Sequence, residues 1–499
     1  MGKETVPPLH TRNLDVTAPM TKASFPSSEP RSGRGSLRLG ALTALVIGSM
    51  IGGGIFALPQ NTAVSAAPGA MLIGWAITAF GMLALALVFH VLAERRPDLE
   101  DGIYAYARAG FGHYVGFLSA WGYWISAWVG TTSYLVLLLS TLGYFFPVFN
   151  GGNTAWAVGM ASALLWFTHA IVSRGIKTAA FLNEIATVAK IVPLILFIVM
   201  AALAFRMDIF SADIWGFSSP QLGSVMDQVK GMMLVTVWVF IGIEGASVCS
   251  ARAEKKSDVG KATVIGFLGV LVLLVMINVL SMGILSRAEL AGLEDPSMAY
   301  VLEQAMGPWG AVIINVGLVI SLLGAMLSWM VLCAEVLFSA AADGSAPAYF
   351  RKENSQGMPS HSLLISNILI QSFLIVTLYS EATYLNLMSL GTSMILVPYL
   401  LSAAFAFKVS LREGSPRQKR HLVISGIAIL YSLWLIYAAG IQYFLLSSLL
   451  YAPGVFVYIK AQKENGKRLF TPAEAFLFAL LAFCAVFAGF ALYAGHIHL

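Results

Sequence analysis

The sequence predicts an all-α polytopic membrane protein with a five-plus-five inverted helical repeat at its core. Three observations carry that prediction: a composition too apolar for water, recurring apolar windows long enough to cross a bilayer, and helix-breaking sequence inside the first and sixth of them. Of 499 residues, 58% are apolar and 11% charged, and the mean hydropathy is +0.79, whereas a soluble domain carries about 25% charged residues. That balance excludes secreted disulfide scaffolds, disordered chains and nucleic-acid binders, all of which need more charge or less apolar surface.

Residues 1–36 are polar and lack an apolar run of signal-peptide length, so a disordered cytoplasmic tail is expected there. From Leu39 onward, apolar windows of the length that spans hydrocarbon recur at 39–62, 71–92, 114–146, 155–171, 184–206, 231–251, 262–284, 308–339, 361–380, 383–407, 422–439, 441–459 and 473–495. They predict thirteen helices: a core over 37–410, whose repeats are 39–206 and 231–407, and three additional helices over 411–499. The 114–146 run is longer than one perpendicular crossing and predicts a single tilted helix.

With the N-terminus in the cytoplasm, nearly all of the 30 Lys and Arg lie inside; only Arg206, Lys230 and Arg287 face outward, and Lys190 sits within a span. The net charge of +5 is therefore a topology signal and calls for a lipid bilayer, not nucleic acid, as partner. An odd number of crossings puts the C-terminus outside, with His496 and His498 as solvent-exposed residues. Cys249, Cys333 and Cys484 fall singly inside apolar runs with no CxxC pair, so neither a disulfide framework nor a metal site is expected, and no cofactor is implied.

In hydrocarbon every backbone polar group needs a partner, so breaks inside a span are tolerated where they line a cavity. The first span carries Gly52, Gly53 and Gly54 in succession, each costing about 1 kcal/mol against alanine in a helix. Close packing through the Gly48/Gly52 pair is the other reading of these glycines. The sixth span places Glu244 between Gly242 and Gly245 near mid-membrane, where an acidic side chain marks a functional site or, alternatively, a hydrogen-bonded structural carboxylate. Breaks five spans apart are what an inverted five-helix repeat produces, with the site between the broken segments.

Freed N–H groups at Gly53 and Gly54 suit a substrate carboxylate, and freed carbonyls around Met50 and Ile241 suit an ammonium. Together they describe a receptor for an α-amino acid. Trp238, Trp329 and Tyr123 offer ring faces to a cationic side chain, although such rings also serve as packing or interfacial belt.

These residues resemble those of the amino acid–polyamine–organocation superfamily, and within it the basic amino acid/polyamine antiporters. The similarity runs from about Leu37 through the thirteenth span, most specifically over Gly48–Pro59, Tyr104–Gly130, Val235–Lys261 and Ser393–Leu400. The resemblance implies a LeuT-like fold, obligatory exchange of external arginine for internal ornithine, and a bacterial inner membrane location, and leaves a homodimer open. It assigns the carboxylate to Gly52, Gly53 and Gly54, and the α-amino group to the carbonyls of Met50, Trp238 and Ile241. Trp238 becomes a middle gate, and Tyr123, Glu244 and Tyr399 an inner gate. Trp329 stacks on the guanidinium, with Ser126, Ala127 and Thr131 in the pocket. Gly53 and Thr131 stand where an arginine-exchanging relative has serine and asparagine, so the donor set differs.

Lys190 matches a lysine that proton-coupled relatives use in place of sodium, which keeps a proton-coupled symporter for basic amino acids as the alternative; a permanently charged lysine bridging helices is the other role. Glu335, also within a span, has a structural or a pocket role open to it. An enzyme lacks support, since neither HExxH nor GxSxG occurs, and a channel would need a continuous polar lining.

Overall fold

The computed structural model describes residues 38–99, 102–248, 253–379, 384–412, 414 and 416–497, the side chains of 176–184 and 256 aside. The 1–36 tail, Cys249 and His498 lie outside the described residues. Among the described residues the longer elements are all α-helical: α1 (Leu39–Met50), α2 (Gly54–Ala63), α3 (Pro68–Arg95), α4 (Gly102–Phe111), α5 (His113–Gly143), α6 (Ala155–Ser173), α7 (Ile176–Ala204), α8 (Met207–Ser211), α9 (Val225–Trp238) and α10 (Gly245–Val248). There follow α11 (Lys256–Ser281), α12 (Arg287–Ala291), α13 (Ser297–Met306), α14 (Pro308–Ala342), α15 (Ser360–Val376), α16 (Tyr384–Leu411), α17 (Gln418–Tyr451), α18 (Gly454–Glu464) and α19 (Pro472–Tyr493).

Local sequence explains where several of these begin. Proline opens α3, α14 and α19, where a missing N–H costs nothing. Ser224, Ser286 and Thr471 each cap a helix, reciprocally with Asp227, Glu289 and Glu474 three residues on. The 31-residue α5 is one continuous helix, as its apolar run predicts, and most of it is buried. It packs against α14 and α16, while α14 also packs on α7 and α11 lies against α1 and α3.

Nine helical stretches among the described residues are long and apolar enough to cross a membrane, or ten if the bent pair α1–α2 is one span. The 47-residue stretch Gln418–Glu464 counts once by that measure. It nonetheless reverses at Gly440, whose φ of 78° only glycine adopts readily. Arg417 at its start pairs with Glu94, Tyr437 lies beneath Lys230 at the opposite end of the bundle, and Glu464 returns to the Ala348 N–H. Thirteen crossings follow if that reversal is counted as two and if α9–α10 and the 17-residue α15 each count as one.

Candidate functional site

Two interrupted helices meet at the centre. The first break runs over Ile51–Gly53 and bends α1 against α2 by 43°. The second separates α9 from α10 over Val239–Glu244. They touch through Ser49, whose hydroxyl donates to the Gly242 carbonyl at 2.9 Å. Gly242 has a φ of 110°, and a Cβ there would come within 2.8 Å of the Ser49 backbone, so conformation and contact both demand glycine.

The three glycines of the first break do two things at once. They open the helix, and each accepts a side chain at close range: a Cβ on Gly52 would meet the Tyr134 hydroxyl at 2.2 Å, on Gly53 the Leu322 side chain at 2.6 Å, and on Gly54 the Trp238 indole at 2.6 Å. The break expected here is present, and the glycines beside it also admit side chains of other helices at close range. In the first turn of α2 the Phe56 N–H donates to the Gly53 carbonyl at 3.0 Å, and the N–H groups ahead of it, which a helix start leaves without intrahelical acceptors, stand at the place expected for a carboxylate.

The carbonyls freed by the break are met by other helices. Lys190 of α7, fully buried, donates from Nζ to Gly48 O at 2.8 Å and to Ile51 O at 2.5 Å. Ser321 of α14 donates to Gly52 O at 3.3 Å. The Met50 carbonyl, expected to face an ammonium, accepts from Gly52 N at 2.9 Å. Lys190 and Ser321 thus tie the C-terminal end of α1 and the break that follows it to α7 and α14.

On one side of the crossing, Glu244 Oε2 accepts from the Tyr399 hydroxyl at 2.8 Å and from Gly242 N at 3.2 Å. Tyr123 also faces this carboxylate, and all three side chains are buried. The set Tyr123, Glu244 and Tyr399 is therefore assembled from α5, the second break and α16. Trp329 of α14 lies against Tyr123, ring centroids 6.3 Å apart, and its indole Nε1 is buried without a partner. Ser126 likewise has a buried, unpartnered hydroxyl, whereas the Thr131 hydroxyl is taken by the Ala127 carbonyl at 2.8 Å. Glu335 is partly buried on α14.

Trp238 ends α9. Its indole rests on Gly54 and Gly130, and Gly391 lies alongside; an added Cβ would reach the ring at 2.6, 3.0 and 3.5 Å respectively. Its Nε1 donates to the Tyr384 hydroxyl at 2.9 Å, and Tyr134 meets it edge-on at 5.7 Å. Met50, Trp238, Ile241 and Trp329 are each only 4 to 5% exposed, so these expected substrate contacts lie in the protein interior. Sequence reasoning passes over Tyr134, Tyr384, Ser49 and Ser321. Only Ser49 carries a signal, its position beside the glycine run.

Comparison with known proteins places this geometry. The family model described as amino acid permease matches residues 37–449. The arginine/ornithine antiporter of Pseudomonas aeruginosa is 58% identical over 474 residues, 93% of this chain and 98% of the relative. The L-lysine transport protein of Corynebacterium glutamicum is 46% identical, covering 89% of this chain and 92% of the relative. The arginine/agmatine antiporter of Chlamydia pneumoniae is 43% identical, covering 90% and 95%. Among solved structures, a Na+-coupled sialic acid symporter in its outward-open state matches with a TM-score of 0.52 at 14% identity, covering 83% of this chain and 93% of that one, a likeness of fold alone.

Proposed function

The chain belongs to the amino acid permease family, and we propose that it is an antiporter that brings in one arginine for each ornithine it releases, by alternating access. The observation that carries this reading is the stacking of two closures around paired helix breaks: Trp238 seated against the glycines of α2, α5 and α16 on one side, and the Tyr399–Glu244 bond on the other. Opening one while the other stays shut exposes the centre to a single face at a time. Relatives named for arginine/ornithine and arginine/agmatine exchange support the substrate class.

In this reading the N–H groups of Gly53 and Gly54 receive the carboxylate. The carbonyls of Met50, Trp238 and Ile241 receive the α-amino group, and Trp329 receives the cationic side chain against Ser126, Ala127 and Thr131. Arginine and ornithine both carry a net +1 near neutral pH, so 1:1 exchange moves no charge and is indifferent to membrane potential. The two five-helix repeats, 39–206 and 231–407, form the transport core in a bacterial inner membrane with the N-terminus in the cytoplasm. Lys190 acts as a fixed cation of the first break, which its two carbonyl bonds support.

The test is labelled-arginine uptake into proteoliposomes of the purified full chain, loaded with ornithine or empty, with and without a proton gradient. Uptake that needs internal ornithine and ignores the gradient is expected. Proton-driven uptake into empty vesicles would overturn exchange in favour of a symporter and give Lys190 the coupling role.

A further inference from the structure

At the outer end of α5 and α14 lies a polar cavity of about 200 Å³, separate from the central crossing and lined in part by Glu294, Asp295, Asn315, Tyr144 and Tyr300. Asn315 is fully buried, yet both its amide oxygen and its amide nitrogen are without a partner. Asp295 Oδ1 is likewise closed to solvent and unpartnered. Buried polar groups are nearly always satisfied, so an amide and a carboxylate left open toward one cavity mark a place where a ligand completes the set. The backbone here is fixed independently, because Ser140 of α5 donates to the Asp295 carbonyl at 3.1 Å.

The lining determines the ligand's chemistry. Two carboxylates and two tyrosine rings surround the cavity, and none of its lining residues is basic. Burial with no countercharge pushes the Asp295 carboxyl up to about 7, the state of an acid that a cation would relieve. Among the described residues no three His, Cys, Asp or Glu gather as a metal site requires. An organic cation with several N–H donors fits better, since a carboxylate and an amide oxygen accept while tyrosine faces pack against a flat guanidinium. The cavity also stands beside the path inward. Tyr384, which holds the Trp238 indole, lies within electrostatic reach of Asp295, and Asn315 is six residues, about 9 Å along α14, from the Ser321 that bonds Gly52.

We infer that this cavity is an outer capture subsite for the guanidinium or ammonium end of a basic amino acid, held by Glu294, Asp295 and Asn315 before the substrate passes Trp238. The inference rests on the transport reading above. An acidic cleft at the mouth raises the local concentration of cationic substrate, and the unpartnered amide oxygen of Asn315 adds a neutral acceptor for its N–H groups.

The experiment measures external arginine KM, internal ornithine KM and maximal exchange in proteoliposomes of oriented full-length protein. The double variant Asp295→Asn/Asn315→Leu is expected to raise the external arginine KM roughly fivefold while internal ornithine KM and maximal exchange stay at wild-type values. Glu294→Gln, at an exposed position and harmless to folding, is expected to raise the external KM roughly twofold by the same loss of charge. An unchanged external KM in both variants overturns the subsite while leaving exchange intact. Should the double variant fail to insert, Glu294→Gln decides alone. Absence of arginine/ornithine exchange in the wild type instead overturns the transport reading and is seen before any variant is measured.

Discussion

The two helix breaks solve one physical problem in opposite ways. The first leaves carbonyls exposed at the end of α1, and distant helices supply the donors: Lys190 from α7 and Ser321 from α14. The second supplies its own acceptor, since Glu244, inside the break, takes the Gly242 N–H and reaches out to Tyr399. The first break is thus held by side chains that belong to its surroundings, the second by a side chain that belongs to the break itself. In the alternating-access reading proposed above, groups on the surrounding helices would set where the first break stands, and the Glu244–Tyr399 bond would be made and unmade as the second break rocks. On that reading the first break is the anchor and the second the latch.

The sharpest way to break this contrast is to remove the anchor. Lys190→Leu leaves the Gly48 and Ile51 carbonyls buried without their donor, a loss of about 2–4 kcal/mol, and is expected to abolish exchange and lower the thermal midpoint in detergent. A variant as stable as wild type would mean that the first break needs no cation. Removing the latch has a different signature. Glu244→Gln keeps the shape and is expected to slow exchange by at least about tenfold with insertion and thermal midpoint close to wild type, measured by counterflow and by unfolding in the same preparation. Wild-type exchange would take Glu244 out of the gate, and a collapse in stability would make it a second anchor.

A smaller effect is expected where substrate, not the breaks, is touched. Trp329→Leu should weaken arginine binding by about 1–2 kcal/mol, roughly five- to thirtyfold in affinity, with ornithine binding less affected because a compact ammonium stacks less well than a flat guanidinium. Equal losses for both would show that the indole shapes the pocket without reading the cation. The smallest effect belongs to Tyr384→Phe, which removes one hydrogen bond from the Trp238 indole, about 1 kcal/mol. Because the ring keeps its glycine seats, exchange is expected to change only a few-fold, and a complete loss would make the Tyr384 hydroxyl, and not the glycines, what holds Trp238 in place.

Much of this site is legible in the linear sequence because a membrane makes departures conspicuous. Three glycines in an apolar run, a carboxylate flanked by glycines, and a lysine where hydropathy forbids one are each expensive in hydrocarbon, so Gly52–Gly54, Glu244 and Lys190 stand out without any alignment. Apolar window length likewise finds α5 and α14 and places a boundary at the Gly440 reversal. Tyr134, Tyr384 and Ser321 stand in apolar stretches where tyrosine and serine are ordinary, and nothing in their spacing points at a break on another helix.

The sequence by itself determined that the chain lives in a bilayer and where its helices give way, because each of these follows from the local cost of placing a residue in hydrocarbon. Only the tertiary structure decided which partner answers each break. That Lys190 reaches Gly48 and Ile51 across 142 and 139 residues, and that Tyr399 reaches Glu244 across 155, depends on how α7 and α16 pack against the broken helices. Such pairings are set by the summed shape of many side chains, so no single stretch of sequence contains them.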